Sequence, residues 1–173
     1  MLLGWHERPR RREVVLGSSV DAVLREADCD VLVERVASDG EPIESVFVPV
    51  AGGPHTDYAA EIAGAIARGH DATVELGTVI APAADDDTVE DARTLLARTS
   101  PALGAVDSVT ETVLRSNEVV VGIAGRTGDH DVTVLGAGGS GFLHRIVADD
   151  VAAAVARRAD SDVVLCRRRD RPT

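Results

Sequence analysis

The chain contains no lysine. All 18 of its basic residues are arginine, set against 29 Asp and Glu for a formal net charge of -11. Binding a phosphate backbone takes a concentrated basic face, so this balance argues against nucleic acid as a partner. Two clusters stand apart from it, "RPRRR" from Arg8 to Arg12 and "RRR" from Arg167 to Arg169. Aromatic residues are nearly as scarce, with one Trp, one Tyr and two Phe. A carboxylate-rich, lysine-free composition suits a protein kept soluble at very high salt, where repulsion is screened over roughly 3 Å. Two cysteines, Cys29 and Cys166, make neither a disulfide framework nor a CxxC pair, and both read as small buried hydrophobes beside strands. The histidines are scattered, and none shares helical metal-ligand spacing with a carboxylate. No apolar run is long enough for a membrane span, and the start lacks the basic flank of a targeting peptide. A cytoplasmic protein without direct membrane insertion is the expectation.

What the chain does have is a repeat. Its 173 residues suffice for one well-buried core plus an appendage. "READCDVLVER", Arg25 to Arg35, returns as "RRADSDVVLCR", Arg157 to Arg167, 132 positions later. At the same offset and without a gap, Leu3 and Gly4 match Leu135 and Gly136, and Val23 matches Val155. Arg25, Ala27, Asp28, Asp30, Val31 and Arg35 match Arg157, Ala159, Asp160, Asp162, Val163 and Arg167. One supersecondary unit occurs twice: strand end, Gly loop, helix, strand.

Between the copies lies material found once. "ASDGEPIE", Ala37 to Glu44, is a linker rich in structure breakers. "SVFVPV", Ser45 to Val50, reads as a buried strand, and "AGGPHT" as a Gly-rich turn with Thr56 capping the helix that follows. Tyr58, Ile62 and Ile66 mark the apolar face of that helix, which ends near Gly69. A second strand spans Ala72 to Ile80. Asp87 and Glu90 make a capping-box signature for a helix to about Thr99. Val106 to Leu114 alternates as a strand, Asn117 caps a β-branched helix, and Asp131 to Gly136 is the fourth strand. Alternating strands and helices from Ser45 to Cys166 predict a doubly wound α/β fold of the flavodoxin-like (Rossmann-like) kind. Its five-stranded parallel sheet has the order 3-2-1-4-5, with the N-terminal partial repeat added to it. The divisions are a partial domain over 1–36, a linker over 37–44, a complete domain over 45–169 and a tail over 170–173.

The stretches "GSSVDAVLREADCDVLV" and "VPVAGGPHTDYAAEIA" resemble the universal stress protein family in tandem form, with the first domain reduced to its last third. Similar tandem modules occur as cytoplasmic tails of amino-acid transporters in halophilic archaea. In ATP-binding members a G-x-x-G, nine residues, G-[S/T] pattern follows the fourth strand, and an Asp after the first strand holds the nucleoside. The resemblance therefore implies nucleotide-site positions at Ala51, Val79, Gly136, Gly139, Asp149 and Asp150, with Gly17 and Ser18 in the partial copy. Each copy departs from the pattern. Asp149 and Asp150 replace the closing Gly-Ser, Ala51 replaces the Asp, and Glu7 replaces the second Gly of the partial copy.

Physical chemistry weighs these departures. A helix N-terminus receives phosphate through free N–H groups and its positive dipole end. Carboxylates at Asp149 and Asp150 satisfy that dipole themselves, each by about 0.3–1 kcal/mol. They also repel a triphosphate: two like charges about 4 Å apart cost on the order of 4 kcal/mol at an effective dielectric of 20, roughly a thousandfold in affinity. A bound Mg²⁺ would turn that repulsion into bridging. "GAGGSGF", Gly136 to Phe142, reads as a connector or as a phosphate cradle. His55, His144 and Arg145 have no visible catalytic partner in the sequence. The resulting expectation is a noncatalytic module with no obligatory cofactor and a degenerate ATP site, acting through a second copy, a larger protein or a transporter component. The alternative is a nucleotide-binding sensor, metal-assisted or completed by another chain. The family's fifth strand is a pairing edge, which implies interface strands through Val31, Leu32 and Val33 and through Val163, Val164 and Leu165 of this chain.

Overall fold

The computed structural model describes residues 1–4, 23, 27–36, 42–137 and 148–169. Seven strands lie in one sheet: β1 Leu2–Gly4, β2 Val31–Arg35, β3 Ser45–Pro49, β4 Thr73–Ile80, β5 Val109–Arg115, β6 Val132–Gly136 and β7 Asp162–Arg167. Their order across the sheet is β1-β2-β7-β6-β3-β4-β5. From β3 onward the five strands are mutually parallel, and taken from the β5 edge they stand third, second, first, fourth, fifth in chain order. β2 runs antiparallel to β7 and parallel to β1. The sheet is thus seven strands wide rather than five, because β2 satisfies the edge N–H and C=O groups that β7 would otherwise expose.

Side-chain alternation divides the core between two faces. On β3, Val46 and Val48 enter one cluster and Phe47 the other; on β7, Val164 and Cys166 enter the first, Val163 and Leu165 the second. Helices α1 (Pro54–His70) and α2 (Asp86–Thr99) cover the first face. Helices α3 (Val119–Thr127) and α4 (Ala148–Arg158) cover the second. Strands buried on both sides explain the Val-rich runs, and each fully buried Phe or Leu contributes about 1.5–3 kcal/mol. The deepest face of α1 is small: Ala59, Ala60, Ala63, Gly64 and Ala67 are buried, while Tyr58, Ile62 and Ile66 flank them half-buried. Small residues let the helix lie close to the sheet, a stripe that the spacing of the large apolar residues alone does not disclose.

Helix starts depart from the sequence reading. α1 begins at Pro54 with Gly53 as N-cap, and the Thr56 hydroxyl donates to the Gly52 carbonyl instead of capping. Pro at the first helical position lacks the N–H that would go unpaired and already has helical φ, so it fixes the start three residues early. α2 is capped by Asp85, whose carboxylate accepts from the Thr88 N–H at 2.9 Å, rather than by Asp87. At α3 the flanking position is Glu118, and the Ser116 hydroxyl takes the Glu118 N–H where Asn117 was expected to act. β5 begins at Val109, three residues into the predicted strand. Cys166 is buried as expected and burial pushes its thiol pKa up, but Cys29 is exposed in the turn before β2.

A charged network is buried near the start of β4. Glu75 accepts from Arg126 twice, from Nε at 2.9 Å and from Nη2 at 2.6 Å, and His130 Nε2 lies 3.2 Å from the same carboxylate. The His130 ring stacks on Phe47 with centroids 5.3 Å apart, and Arg126 also reaches Asp129 at 2.6 Å. Burial alone would raise the Glu75 pKa. Hydrogen bonds from Arg126 and Thr112, with the charges of Arg126 and His130, overcome that and hold the carboxyl below its ordinary value. Nearby, the Asp131 carboxylate collects the Glu44 N–H, the Ser45 N–H and the Ser45 hydroxyl, each at 2.9 Å, tying the entry of β3 to the entry of β6.

Candidate functional site

In an open α/β sheet ligands are received at the carboxyl ends of the parallel strands, where the strand order reverses. Here that place lies between β3 and β6. β3 ends at Pro49, and the chain turns through Gly52 (φ 83°) and Gly53 (φ 87°) into the first turn of α1. Such left-handed φ values are open to glycine at no steric cost, which explains the Gly pair before Pro54. Gly53 brings no side chain, so no side chain caps the positive end of the α1 dipole.

Across from this turn stands Gly136, the last residue of β6. A Cβ there would lie 2.7 Å from the carbonyl carbon and oxygen of His55 and 2.9 Å from the Thr56 nitrogen. β6 and α1 therefore meet backbone to backbone. Gly136→Ala is expected to lose about 1–3 kcal/mol by forcing the first turn of α1 off the sheet. Thermal melting of the variant checks this, and an unchanged midpoint would show that the turn yields freely.

His55 is buried, and its Nδ1 accepts the Arg168 backbone N–H at 3.1 Å. The imidazole is thereby tied to the end of β7. Arg168 continues the arrangement: its guanidinium reaches Glu61 at 2.6 Å and lies 5.1 Å over the Tyr58 ring. Burial, followed by the Asp30 carboxylate, raises the Tyr58 phenol above its usual range. Asp30 Oδ1 in turn accepts the Arg169 N–H at 2.7 Å. The guanidinium groups of Arg167 and Arg168 are thus both held by the chain's own groups, since Arg167 Nη1 also donates to the Ala27 carbonyl at 3.1 Å. Sequence reading missed the pairing of His55 with Arg168, because partners 113 positions apart leave no local signal.

The residues expected at a nucleotide site fall as follows. Ala51 is exposed at the end of β3, and its methyl accepts no hydrogen bond where an Asp would. Val79 is half-buried and packs with the α3 face of the core, beside Gly122. Gly136 stands at the α1 turn. Asp149 and Asp150 belong to the first turn of α4 as described, and their side chains lie outside the described residues. Gly17, Ser18, Gly139, His144 and Arg145 also lie outside the described residues. Among the described residues no group of three or more His, Cys, Asp or Glu is placed to hold a metal.

The expected interface strands meet each other. Val31, Leu32 and Val33 of β2 stand opposite Arg167, Cys166 and Leu165 of β7, and Glu34 and Arg35 stand opposite Val164 and Val163. Arg35 Nη2 crosses the seam to the carbonyls of Ala159 at 2.7 Å and Ser161 at 3.1 Å. Val31, Val33, Val163 and Leu165 share one buried cluster.

Comparison with known proteins places this geometry. A protein of unknown function from Pseudomonas aeruginosa PAO1 superposes with a TM-score of 0.62 at 21% identity, over 98% of this chain and 63% of that one. A universal stress protein in complex with cAMP superposes with a TM-score of 0.56 at 23% identity, over 72% of this chain and 97% of that one. The universal stress protein of Archaeoglobus fulgidus in complex with dAMP gives 0.58 at 17% identity, over 73% and 99%. No protein of curated function matches in sequence. No helix among the described residues is long and apolar enough to cross a membrane. The profile of the Universal stress protein family matches residues 1–35 and 42–167, and the chain belongs to that family.

Proposed function

We propose that the chain is a noncatalytic regulatory or assembly module, cytoplasmic and suited to high salt, whose working surface is its β7 edge rather than a nucleotide pocket. On this reading it is a tandem protein in which the first domain is reduced to a fragment, and that fragment occupies the edge of the complete domain. The observation that carries the proposal is the symmetry of the seam. The register of β1 on β2, Leu2 with Leu32 through Gly4 with Glu34, repeats 132 positions later as β6 on β7, Val134 with Val164 through Gly136 with Cys166. The β2–β7 ladder is centred on Val33 and Leu165, which are themselves 132 apart, so a pseudo-two-fold axis passes between them. Side chains follow the axis: Arg35 binds the Ala159 carbonyl, and its counterpart Arg167 binds the Ala27 carbonyl. Symmetry of this kind belongs to an interface between like units.

The rival reading is a nucleotide-binding sensor. It is favoured by the dAMP and cAMP bound to the related structures and by the uncapped Gly52-Gly53 turn at the head of α1. Against it stand the methyl of Ala51 and the acidic pair that begins α4. Equilibrium titration with labelled ATP, with and without Mg²⁺, in molar KCl separates the two. The proposal expects no binding up to millimolar nucleotide. Micromolar binding would make the chain a sensor, and binding that requires Mg²⁺ would assign the metal to the acidic pair.

A further inference from the structure

We infer that His130 is a proton-operated clasp: its imidazole is held as the imidazolium between β4 and the end of α3, and loss of that proton at alkaline pH releases the end of the helix from the sheet. The His130 side chain is 8% exposed and lies in the turn from α3 to β6. Its Nδ1 is 3.2 Å from the Arg126 carbonyl oxygen, and its Nε2 is 3.2 Å from Glu75 Oε2. A carbonyl and a carboxylate can only accept, so each ring nitrogen faces an acceptor. A neutral imidazole has one N–H and one lone pair. Whichever nitrogen kept the proton, the other would turn its lone pair on an oxygen, and only the imidazolium offers N–H to both.

The surrounding charge acts in the same direction. β4 supplies the Glu75 carboxylate, α3 the Arg126 guanidinium, the turn Asp129 and the entry of β6 Asp131. Asp160, from the turn before β7, stands against Gly128, and β3 contributes only the uncharged ring of Phe47. Carboxylates therefore outnumber the one guanidinium, and a second cation reduces the excess. Burial opposes ionisation of both Glu75 and Asp131; hydrogen bonds overcome it, and the charge of His130 adds to them at each. The Arg126 carbonyl belongs to the last turn of α3, the negative end of the helix dipole, which also favours a cation.

Proton linkage fixes the direction of the response. An unfolded histidine gives up its proton near about pH 6.5, so above that pH the folded chain binds the extra proton. The contribution of the clasp is full below about pH 6.5 and is lost as pH rises and the folded chain releases the proton in its turn. This is opposite in sense to the acid-side loss at Glu75. α3 carries the change along β4, because the helix also packs on that strand at Gly122, where an added Cβ would lie 3.3 Å from both methyl groups of Val79. The helix thus spans β4 from Glu75 to Val79, and opening the clasp at one end reaches the carboxyl end of the strand. The chain thereby acquires a response to alkali that needs no ligand.

The test follows the ring itself in the full chain. Nitrogen NMR is expected to show His130 as the imidazolium at about pH 7.5, where an imidazole in water is mostly neutral. Glu75→Gln is expected to turn the ring neutral at the same pH. Hydrogen exchange reads the clasp. After correction for the intrinsic rate, the amides of Ile123 to Thr127 are expected to lose protection about tenfold between roughly pH 7.5 and 9.5 in wild type. In His130→Phe, whose ring can still stack on Phe47 but carries no proton, protection is expected to stay constant over that range. A neutral His130 in wild type at about pH 7.5 would overturn the inference. So would an imidazolium whose later loss of the proton leaves the exchange of α3 unchanged. If His130→Phe does not fold, Glu75→Gln takes its place in the exchange measurement. Constant protection there supports the inference, and a loss equal to that of wild type overturns it.

Discussion

Gly64→Ala is expected to destabilise the protein by about 2 kcal/mol, although alanine is the better helix former. Gly64 lies in the middle of α1, where the helix crosses the 3₁₀ turn Ser100–Leu103. A Cβ at this position would come within van der Waals radii of the Leu103 backbone, 2.7 Å from its carbonyl carbon and 2.9 Å from its Cα, and closer still to its carbonyl oxygen. Backbone cannot rotate away as the end of a side chain can, so helix and turn must separate. Separation would also break the hydrogen bond from Arg68 Nη1 to the Leu103 carbonyl one turn further on. The gain from helix propensity is only about 1 kcal/mol, against overpacking that costs 1–3 kcal/mol or more in a tight core. Gly69 in the same helix supplies the control. Nothing lies within 4 Å of its added Cβ, so Gly69→Ala is expected to be neutral or stabilising by up to about 1 kcal/mol. Urea unfolding of the two variants beside wild type measures the contrast. Equal stability of the two would mean that the turn adapts and that α1 is not pinned at Gly64.

Much of this fold is legible in the sequence because it rests on short-range pattern. The strand runs around Phe47, Leu76, Val134 and Leu165 carry the β-branched density of a sheet buried on both faces, and the structure has strands at each. Helix starts are less legible, because adjacent residues compete to cap. In Asp85-Asp86-Asp87 all three could cap; Asp85 does so because the Thr88 N–H and hydroxyl both turn toward it. At α1 a hydroxyl residue drew the reading to Thr56, while Gly53 and Pro54 set the start by backbone conformation. The candidate site divides in the same way. Ala51 and Gly136 could be placed from the order of elements alone. The His55 to Arg168 bond and the contacts around Tyr58 join parts of the chain remote in sequence, and neither periodicity nor spacing records them. The pairing of β2 with β7 is long-range as well, joining strands 132 positions apart.

The Glu75 network also left one local mark: a carboxylate within "TVELGTVI", a strand otherwise without charge. Its partner Arg126 lies on α3, and removing that partner is expected to have the second large effect. The Glu75 side chain is 8% exposed, so in Arg126→Met the carboxylate would stay buried with only Thr112 and His130 beside it. Stranding a buried charge costs about 3–5 kcal/mol, and the remaining contacts place the expected loss near 3 kcal/mol at neutral pH. The pH dependence fixes the cause. In wild type the folded pKa of Glu75 is below the unfolded one, so its contribution is present above the unfolded carboxyl value and is lost as pH falls through the folded value. Without Arg126 burial prevails and lifts the folded pKa above the unfolded one. Stability of the variant is then fullest in acid and falls as pH rises through the new value. The gap between wild type and variant should therefore begin to narrow as pH falls through the variant's raised value, above the ordinary glutamate value of about 4, and close as pH falls through the lowered value of wild type. Glu75→Gln added to Arg126→Met should recover much of the loss at neutral pH, because an amide leaves no buried charge behind. Chemical denaturation of the three proteins between acid and neutral pH decides the matter. A loss that is independent of pH and unrelieved by Glu75→Gln would assign the role of Arg126 to packing along α3 rather than to the charge it holds.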